Sequence, residues 1–128
     1  MKFEMEKKLP KSNPTEKQVR ASIARLRSFG PSSFASLSDE AGNYVQVAGG
    51  GITCLLERRE ASTGRRFRGF KDGRNPNYPD GTLLVFGAGE IALQSDEWFQ
   101  QNEAADVFAA FLSGRDVYAA IKWREISA

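Results

Sequence analysis

The chain has 128 residues, of which 41% are hydrophobic and 27% are charged, as in an ordinary globular domain. It contains no histidine and one cysteine, which excludes Ser-His and Cys-His nucleophile pairs and an intrachain disulfide. Because imidazole is also the commonest ligand of zinc and iron, the composition argues against an enzyme, and we expect no metal ion or other cofactor.

The net charge of +2 conceals an uneven distribution of charge along the chain. Residues 1–27 contain eight Lys and Arg against three Asp and Glu, and residues 56–75 contain seven against three. Residues 76–128 reverse the balance, with three against eight. This segregation predicts basic and acidic surfaces on different parts of the fold, which bears on the choice of partner. A solvated surface with no role in binding is the alternative interpretation.

The first twelve residues are mainly polar, and we predict a loosely docked tail over residues 1–12 before a single domain over residues 13–128. This segment lacks the apolar centre of a secretory signal. Elsewhere the apolar runs are only a few residues long, too short to span a bilayer. The expected location is therefore the cytoplasm, with no membrane partner.

Residues 13–16 predict the start of a helix, with Asn13 as the cap and Pro14 at the first helical position. Glu16 lies where an acid of a capping box would reach back. An apolar stripe at helical spacing follows: Val19, Ile23 and Leu26. The Gly-Pro pair at 30–31 ends the pattern.

From residue 34 the apolar period changes to two, which is typical of strands. The predicted strands are residues 34–38, 43–48, 52–59, 65–70, 83–86 and 90–93. Glycine-bearing turns at 49–51 and 87–89 predict antiparallel hairpins. A phosphate-binding loop at 49–51 is disfavoured because such loops lead from a strand into a helix. Cys54 alternates with its apolar neighbours and is predicted to lie in the core.

A second helix is predicted with Asn102 as its cap and Gly114 as its end. A final strand over residues 117–124 would close the sheet, with Trp123 in the core or over the sheet edge. The predicted fold class is α+β: a mostly antiparallel twisted sheet of about six or seven strands. The N-terminal helix and the helix in the C-terminal half pack on one of its faces.

Two segments are candidate binding sites. The first is a basic strand with an interleaved ring, which suits contact with a nucleic-acid backbone or a small ligand; it comprises Arg65, Arg66, Phe67, Arg68 and Lys71. The alternative is an ordinary charged outer strand. The second segment, residues 96–99, places two aromatic residues after two acids, as at protein interfaces. Its alternative is a turn that folds the rings back onto the following helix.

The chain resembles a family of immunity proteins from bacterial polymorphic toxin systems, often encoded beside nucleic-acid deaminase toxins. The resemblance covers roughly residues 44–125. It rests on the hairpin around the glycine turn, the SDEW lead-in at 95–98, the helix EAADVFAAFLSG at 103–114, and the closing IKWREI at 121–126.

The resemblance implies a non-enzymatic cytoplasmic inhibitor that binds a cognate toxin domain and blocks its active site or substrate groove. Toxins that act on nucleic acid often have basic clefts, so the inhibitor is expected to present acids around aromatic anchors. The candidate partner-binding residues are Asp80, Glu90, Asp96, Glu97, Trp98 and Phe99. Nucleic acid is the less favoured partner, and the oligomeric state is left open.

Overall fold

The structure is a computed structural model that describes residues 1–116 and 121–126. This part of the chain contains two helices, α1 (Glu16–Ile23) and α2 (Gln101–Leu112), and nine strands. The strands are β1 (Lys2–Met5), β2 (Lys11–Ser12), β3 (Phe34–Ser38), β4 (Tyr44–Gly50), β5 (Thr53–Glu60), β6 (Arg65–Phe70), β7 (Thr82–Phe86), β8 (Gly89–Leu93) and β9 (Lys122–Glu125).

The fold is α+β, as predicted, and is built on a seven-stranded antiparallel sheet in the order β2-β1-β3-β4-β5-β6-β9. The strands predicted at 83–86 and 90–93 are present as β7 and β8. They form a separate two-stranded sheet, however, rather than extending the main one. The β7–β8 hairpin lies over one face of the main sheet instead of at its edge, because its apolar side chains Leu84 and Leu93 pack on Leu55 of that face.

The prediction of a polar tail over residues 1–12 is wrong. Strand β1 lies between β2 and β3, and Phe3 is buried in the core, where its ring meets the Phe108 ring edge-on at 6.3 Å. Positions 3 and 5 are apolar between charged neighbours, which is the period of a half-buried strand. Four residues are too few for that alternation to outweigh the polar composition around them.

Helix α1 begins two residues later than the predicted cap. Thr15 is the N-cap, since its hydroxyl accepts from the Gln18 N–H at 3.1 Å and the Gln18 side-chain oxygen accepts from the Thr15 N–H at 2.9 Å. Asn13 instead has φ +49° and accepts a hydrogen bond from the N-terminal ammonium group of Met1 at 3.1 Å. The predicted apolar stripe at 19, 23 and 26 is fully buried.

Helix α2, in contrast, begins earlier than predicted, because its N-cap is Gln100 rather than Asn102. The Glu103 carboxylate accepts from the Gln100 N–H at 2.9 Å, so an acid closes the first turn. The helix ends at Leu112, and Gly114 follows with φ +70°, as the predicted stop requires. None of the helices in the described part of the chain has the length and apolarity needed to cross a bilayer.

Two cores lie on opposite faces of the main sheet. The larger core joins both helices to one face, through residues such as Ile23 and Phe108 packed on Val45, Val47 and Leu56. The smaller core lies between the other face and the β7–β8 hairpin, and comprises Leu55, Leu84, Leu93 and Trp98. The alternation along β5 sends Leu56 to one core and Leu55 to the other.

The glycine run at 49–51 forms a hairpin, as predicted, in which Gly50 pairs with Thr53. Gly49 has φ +97°, and a Cβ on Gly50 would collide with the main chain at Leu26. The predicted last strand is present as β9, paired with β6, although residues 117–120 lie outside the described residues. Trp123 is half-buried at that edge of the sheet, with the Arg58 guanidinium 5.2 Å from its ring.

Candidate functional site

The two aromatic residues of the acid-led segment are core residues. Trp98 is 4% exposed and Phe99 is 1% exposed, so the structure contradicts the exposure that a surface anchor requires. Phe99 exchanges two backbone hydrogen bonds of 2.9 Å with Cys54 of β5, which ties the segment to the sheet. The Trp98 side chain packs in the smaller core, where the centroid of its ring lies 4.5 Å from that of the Tyr78 ring.

The two acids before these rings belong to an ion-pair network on the face of the main sheet that carries the hairpin. Glu97 is 2% exposed, and its carboxylate accepts from the Gln94 N–H at 2.6 Å and from Arg124 at 3.2 Å. Arg124 also donates to Asp96 at 2.9 Å, which raises the pKa of the guanidinium. Neither acid is therefore a free surface charge.

Arg68 is the second cation of this network. It lies opposite Glu57 in the β5–β6 register and donates to that carboxylate at 3.0 Å. Its guanidinium also lies 3.6 Å from Glu97. Both partners of Arg68 are buried, so the network holds the lead-in segment against the sheet.

The predicted basic strand is neutralised by acids from other parts of the fold. Besides the pairs of Arg68, Lys71 donates to Glu103 at 2.9 Å, and Arg65 lies 3.8 Å from Glu125. Phe67 is half-buried beneath the Arg58 guanidinium, which lies 4.9 Å from the ring centroid. Arg66 faces Arg59 across the strand pair.

The single thiol is not poised for chemistry. Cys54 is fully buried, and burial, with a smaller contribution from the charge of Glu103, raises its pKa to about 12. A thiol is nucleophilic as the thiolate, so this side chain is inert at neutral pH. Among residues 1–116 and 121–126, no group of three or more Cys, Asp or Glu side chains could hold a metal ion.

The predicted residue Asp80 is exposed but has a local structural role. Its carboxylate accepts from the Ser95 N–H at 2.8 Å and lies 2.9 Å from Arg74. The hydrogen bond from Ser95, and then the contact with Arg74, hold the pKa of Asp80 below its usual value. These contacts fasten the loop before β7 to the end of β8.

Glu90 differs from the other predicted acids because it lies on an exposed apolar face. It pairs with Val85 across the β7–β8 hairpin, and Leu83 pairs with Ala92 on the same side. Leu83 is 50% exposed and Val85 is 58% exposed. We call these four residues the hairpin surface. Glu90 makes no ion pair with the described residues.

A cleft of about 310 Å³ lies between the hairpin and the main sheet. The cleft is lined on the hairpin side by Phe86, Ala88 and Ile91, and on the sheet side by Phe34, Gln46 and Leu55. Sequence reasoning missed the aliphatic part of the hairpin surface. Residues 83–86 are apolar without interruption, so the sequence does not indicate which side of the strand is buried.

Comparison of the chain with protein-family models, curated proteins and solved structures gives no match.

Proposed function

We propose that the protein is a cytoplasmic immunity protein that binds and neutralises a cognate bacterial toxin domain through the hairpin surface. The observation that carries the proposal is the pair of exposed aliphatic side chains, Leu83 and Val85, beside Glu90, an acid that forms no ion pair within the described part of the chain. A buried apolar centre with a charged neighbour is the usual composition of an energetically important contact between proteins.

The hairpin is a firm platform for such a contact. Its inner side chains Leu84 and Leu93 are buried against Leu55 and Trp98, and the Gly87 N–H donates to the Ser33 hydroxyl at 2.7 Å. A surface that is ordered before binding loses little conformational entropy on association, which favours affinity. In this proposal Trp98 supports the binding surface from beneath instead of touching the partner.

The negative charge of Glu90 also supports a toxin domain as the partner. The resemblance to immunity proteins paired with nucleic-acid toxins implies a partner with a basic cleft, and Glu90 is an acid free to face it. Complementary charge at the rim of an interface mainly raises the association rate. We expect Glu90→Lys to slow association severalfold at low salt and to change the dissociation rate little.

The proposal requires no catalytic group on this chain. Its thiol is buried, and the acids Glu57, Asp96 and Glu97 are occupied by arginine side chains. The alternative of nucleic-acid binding by the basic strand is less well supported, because Arg65, Arg68 and Lys71 already face carboxylates.

The proposal expects a toxin domain to be encoded by the open reading frame next to this protein's gene, and the test uses the product of that reading frame. Binding is measured by isothermal titration calorimetry, and neutralisation by survival of cells that express the toxin. The double variant Leu83→Asp/Val85→Asp should weaken binding at least about 100-fold, since charge is introduced into the desolvated centre of the contact. The matched control is Ile52→Asp, which changes a side chain 64% exposed at the β4–β5 turn, outside the hairpin surface.

The proposal is wrong if the folded double variant binds and protects as well as the unchanged protein. It is also wrong if Ile52→Asp weakens binding to the same extent. Far-UV circular dichroism establishes that each variant is folded before binding is compared.

A further inference from the structure

A basic cleft lies at the opposite end of the main sheet from the neutralised basic strand. It has a volume of about 610 Å³, within the range of ligand-binding clefts in proteins. The loop between β1 and β2 forms one wall, and α1 with the segment that follows it forms the other. Its cations are Lys7, Lys8, Lys11 and Arg25.

The positive charge of this cleft exceeds the negative charge near it. Its lining contains no carboxylate, and none of its four cations makes an ion pair with a residue that the structure describes. The nearest acid along the chain, Glu6, is occupied elsewhere, because one of its oxygens accepts from the Ser33 N–H and the Ser33 hydroxyl, both at 2.7 Å. Four clustered cations with Glu6 as a single nearby acid leave a local field that favours an anionic ligand.

The cleft also has apolar walls. Leu9 is 91% exposed, and Met5 and Pro31 lie in the same lining. A ligand that fits this site therefore carries acids and aliphatic groups together. A nucleic acid would need an exposed aromatic ring inside the cleft on which to stack. Phe3, the aromatic residue of the lining, is buried in the main core, and the exposed Phe29 is not part of the lining.

We propose that the basic cleft binds an acidic peptide segment of a protein partner, with its carboxylates on the lysines and an aliphatic side chain against Leu9 and Pro31. The inference does not rest on the proposed function. Phe3 and Met5 place the cleft on the helix side of the main sheet, whereas the β7–β8 hairpin, which carries the hairpin surface, covers the other side. The two sites can therefore be disrupted one at a time.

The test is fluorescence anisotropy with defined probes and the full chain. One probe is a short labelled peptide of alternating glutamate and leucine, and matched peptides replace either glutamate by glutamine or leucine by serine. A labelled oligouridylate is the fourth probe. At an ionic strength of about 0.15 M, the glutamate–leucine peptide should bind saturably and at least about tenfold more tightly than the other three.

The double variant Lys7→Gln/Lys8→Gln should weaken binding of the glutamate–leucine peptide at least about tenfold, because it removes two of the four cations. Lys17→Gln is the matched control, since Lys17 is exposed on α1 outside the cleft. The variants Leu83→Asp and Val85→Asp should leave the affinity for this peptide unchanged, which separates this result from the test of the hairpin surface.

Three results would overturn the inference. The first is the absence of saturable binding by the glutamate–leucine peptide. The second is equal loss of affinity in Lys17→Gln and in the double variant, which would indicate a general charge effect. The third is tighter binding of the oligouridylate than of the peptide, which would assign the cleft to nucleic acid.

Discussion

Replacement of Trp98 by alanine distinguishes a core residue from a surface anchor. The side chain is 4% exposed and packs with Leu55, Leu84 and Leu93 beneath the hairpin. Removing a buried tryptophan side chain destabilises a protein by about 3–5 kcal/mol, through lost burial and the cavity that remains. We therefore expect a large loss of stability from Trp98→Ala in the absence of any partner.

One feature of the site lowers that expected value. The indole N–H of Trp98 is buried without a hydrogen-bond partner among the described residues. An unsatisfied buried donor costs roughly 1–3 kcal/mol, and the alanine variant no longer carries it. We expect a net loss of about 3 kcal/mol, at the lower end of the range. Trp98→Phe keeps a ring and removes the donor, so it should lose less than about 1.5 kcal/mol.

The assay is urea unfolding followed by far-UV circular dichroism. With a slope of about 2 kcal/mol per molar urea, the alanine variant should unfold at a midpoint about 1.5 M lower than the unchanged protein. Trp123→Ala is the matched control, because the Trp123 indole N–H also has no hydrogen-bond partner within residues 1–116 and 121–126, but its side chain is only half-buried. It should lose less stability than Trp98→Ala.

A midpoint for Trp98→Ala within about 0.5 M of the unchanged protein would refute this reasoning. It would mean that the ring is not part of the smaller core. Loss of toxin binding without loss of stability would then restore the interpretation of Trp98 as a surface anchor.

Two further predictions concern carboxylates. Glu97→Gln should lower the free energy of unfolding by about 2 kcal/mol, because Arg68 and Arg124 lose a buried counter-charge. Glu90→Gln, the control at an exposed acid, should change the free energy of unfolding by less than about 0.5 kcal/mol. Equal urea midpoints for the two variants would contradict this prediction. Hydrogen bonds from the Ser33 hydroxyl and then the Ser33 N–H hold the pKa of Glu6 below 4.5 in the fold, so its stabilisation is present above that value and is lost as pH falls through the folded pKa. Urea unfolding at about pH 7 and about pH 3 should therefore show a smaller acid-induced loss for Glu6→Gln than for the unchanged protein; equal losses would contradict this.

Local patterns in the sequence were sufficient for most of the fold. The apolar stripe at 19, 23 and 26, the alternation along β4 and β5 and the glycine turn at 49–51 each depend on residues a few positions apart. Cys54 could likewise be assigned to the core from its immediate neighbours. The helix caps were misplaced by two residues. Asn13 and Thr15 are both chemically capable of capping α1, whereas the cap of α2, Gln100, is not of a residue type that favours this position, so Asn102 was preferred.

The candidate site was less predictable, because its features depend on contacts distant in sequence. An acid followed by aromatic residues at 96–99 suits an interface or a core equally well, and the hairpin that packs over Trp98 decides between them. The charge of Arg68 is neutralised by Glu97, which is remote in sequence. The aliphatic part of the hairpin surface and the basic cleft were missed as sites, although the sequence had indicated Glu90 and the basic charge of residues 1–27.

The sequence by itself determined an α+β domain with antiparallel hairpins, because hydrophobic period and turn chemistry act over a few residues. Only the tertiary structure decided which charges remain unpaired. Arg65 and Lys71 meet acids from other elements, whereas Lys7 and Lys8 form no salt bridge with a residue that the structure describes. Exposure and ion pairing are properties of the assembled surface, so they follow from how the elements pack and not from any local run of residues.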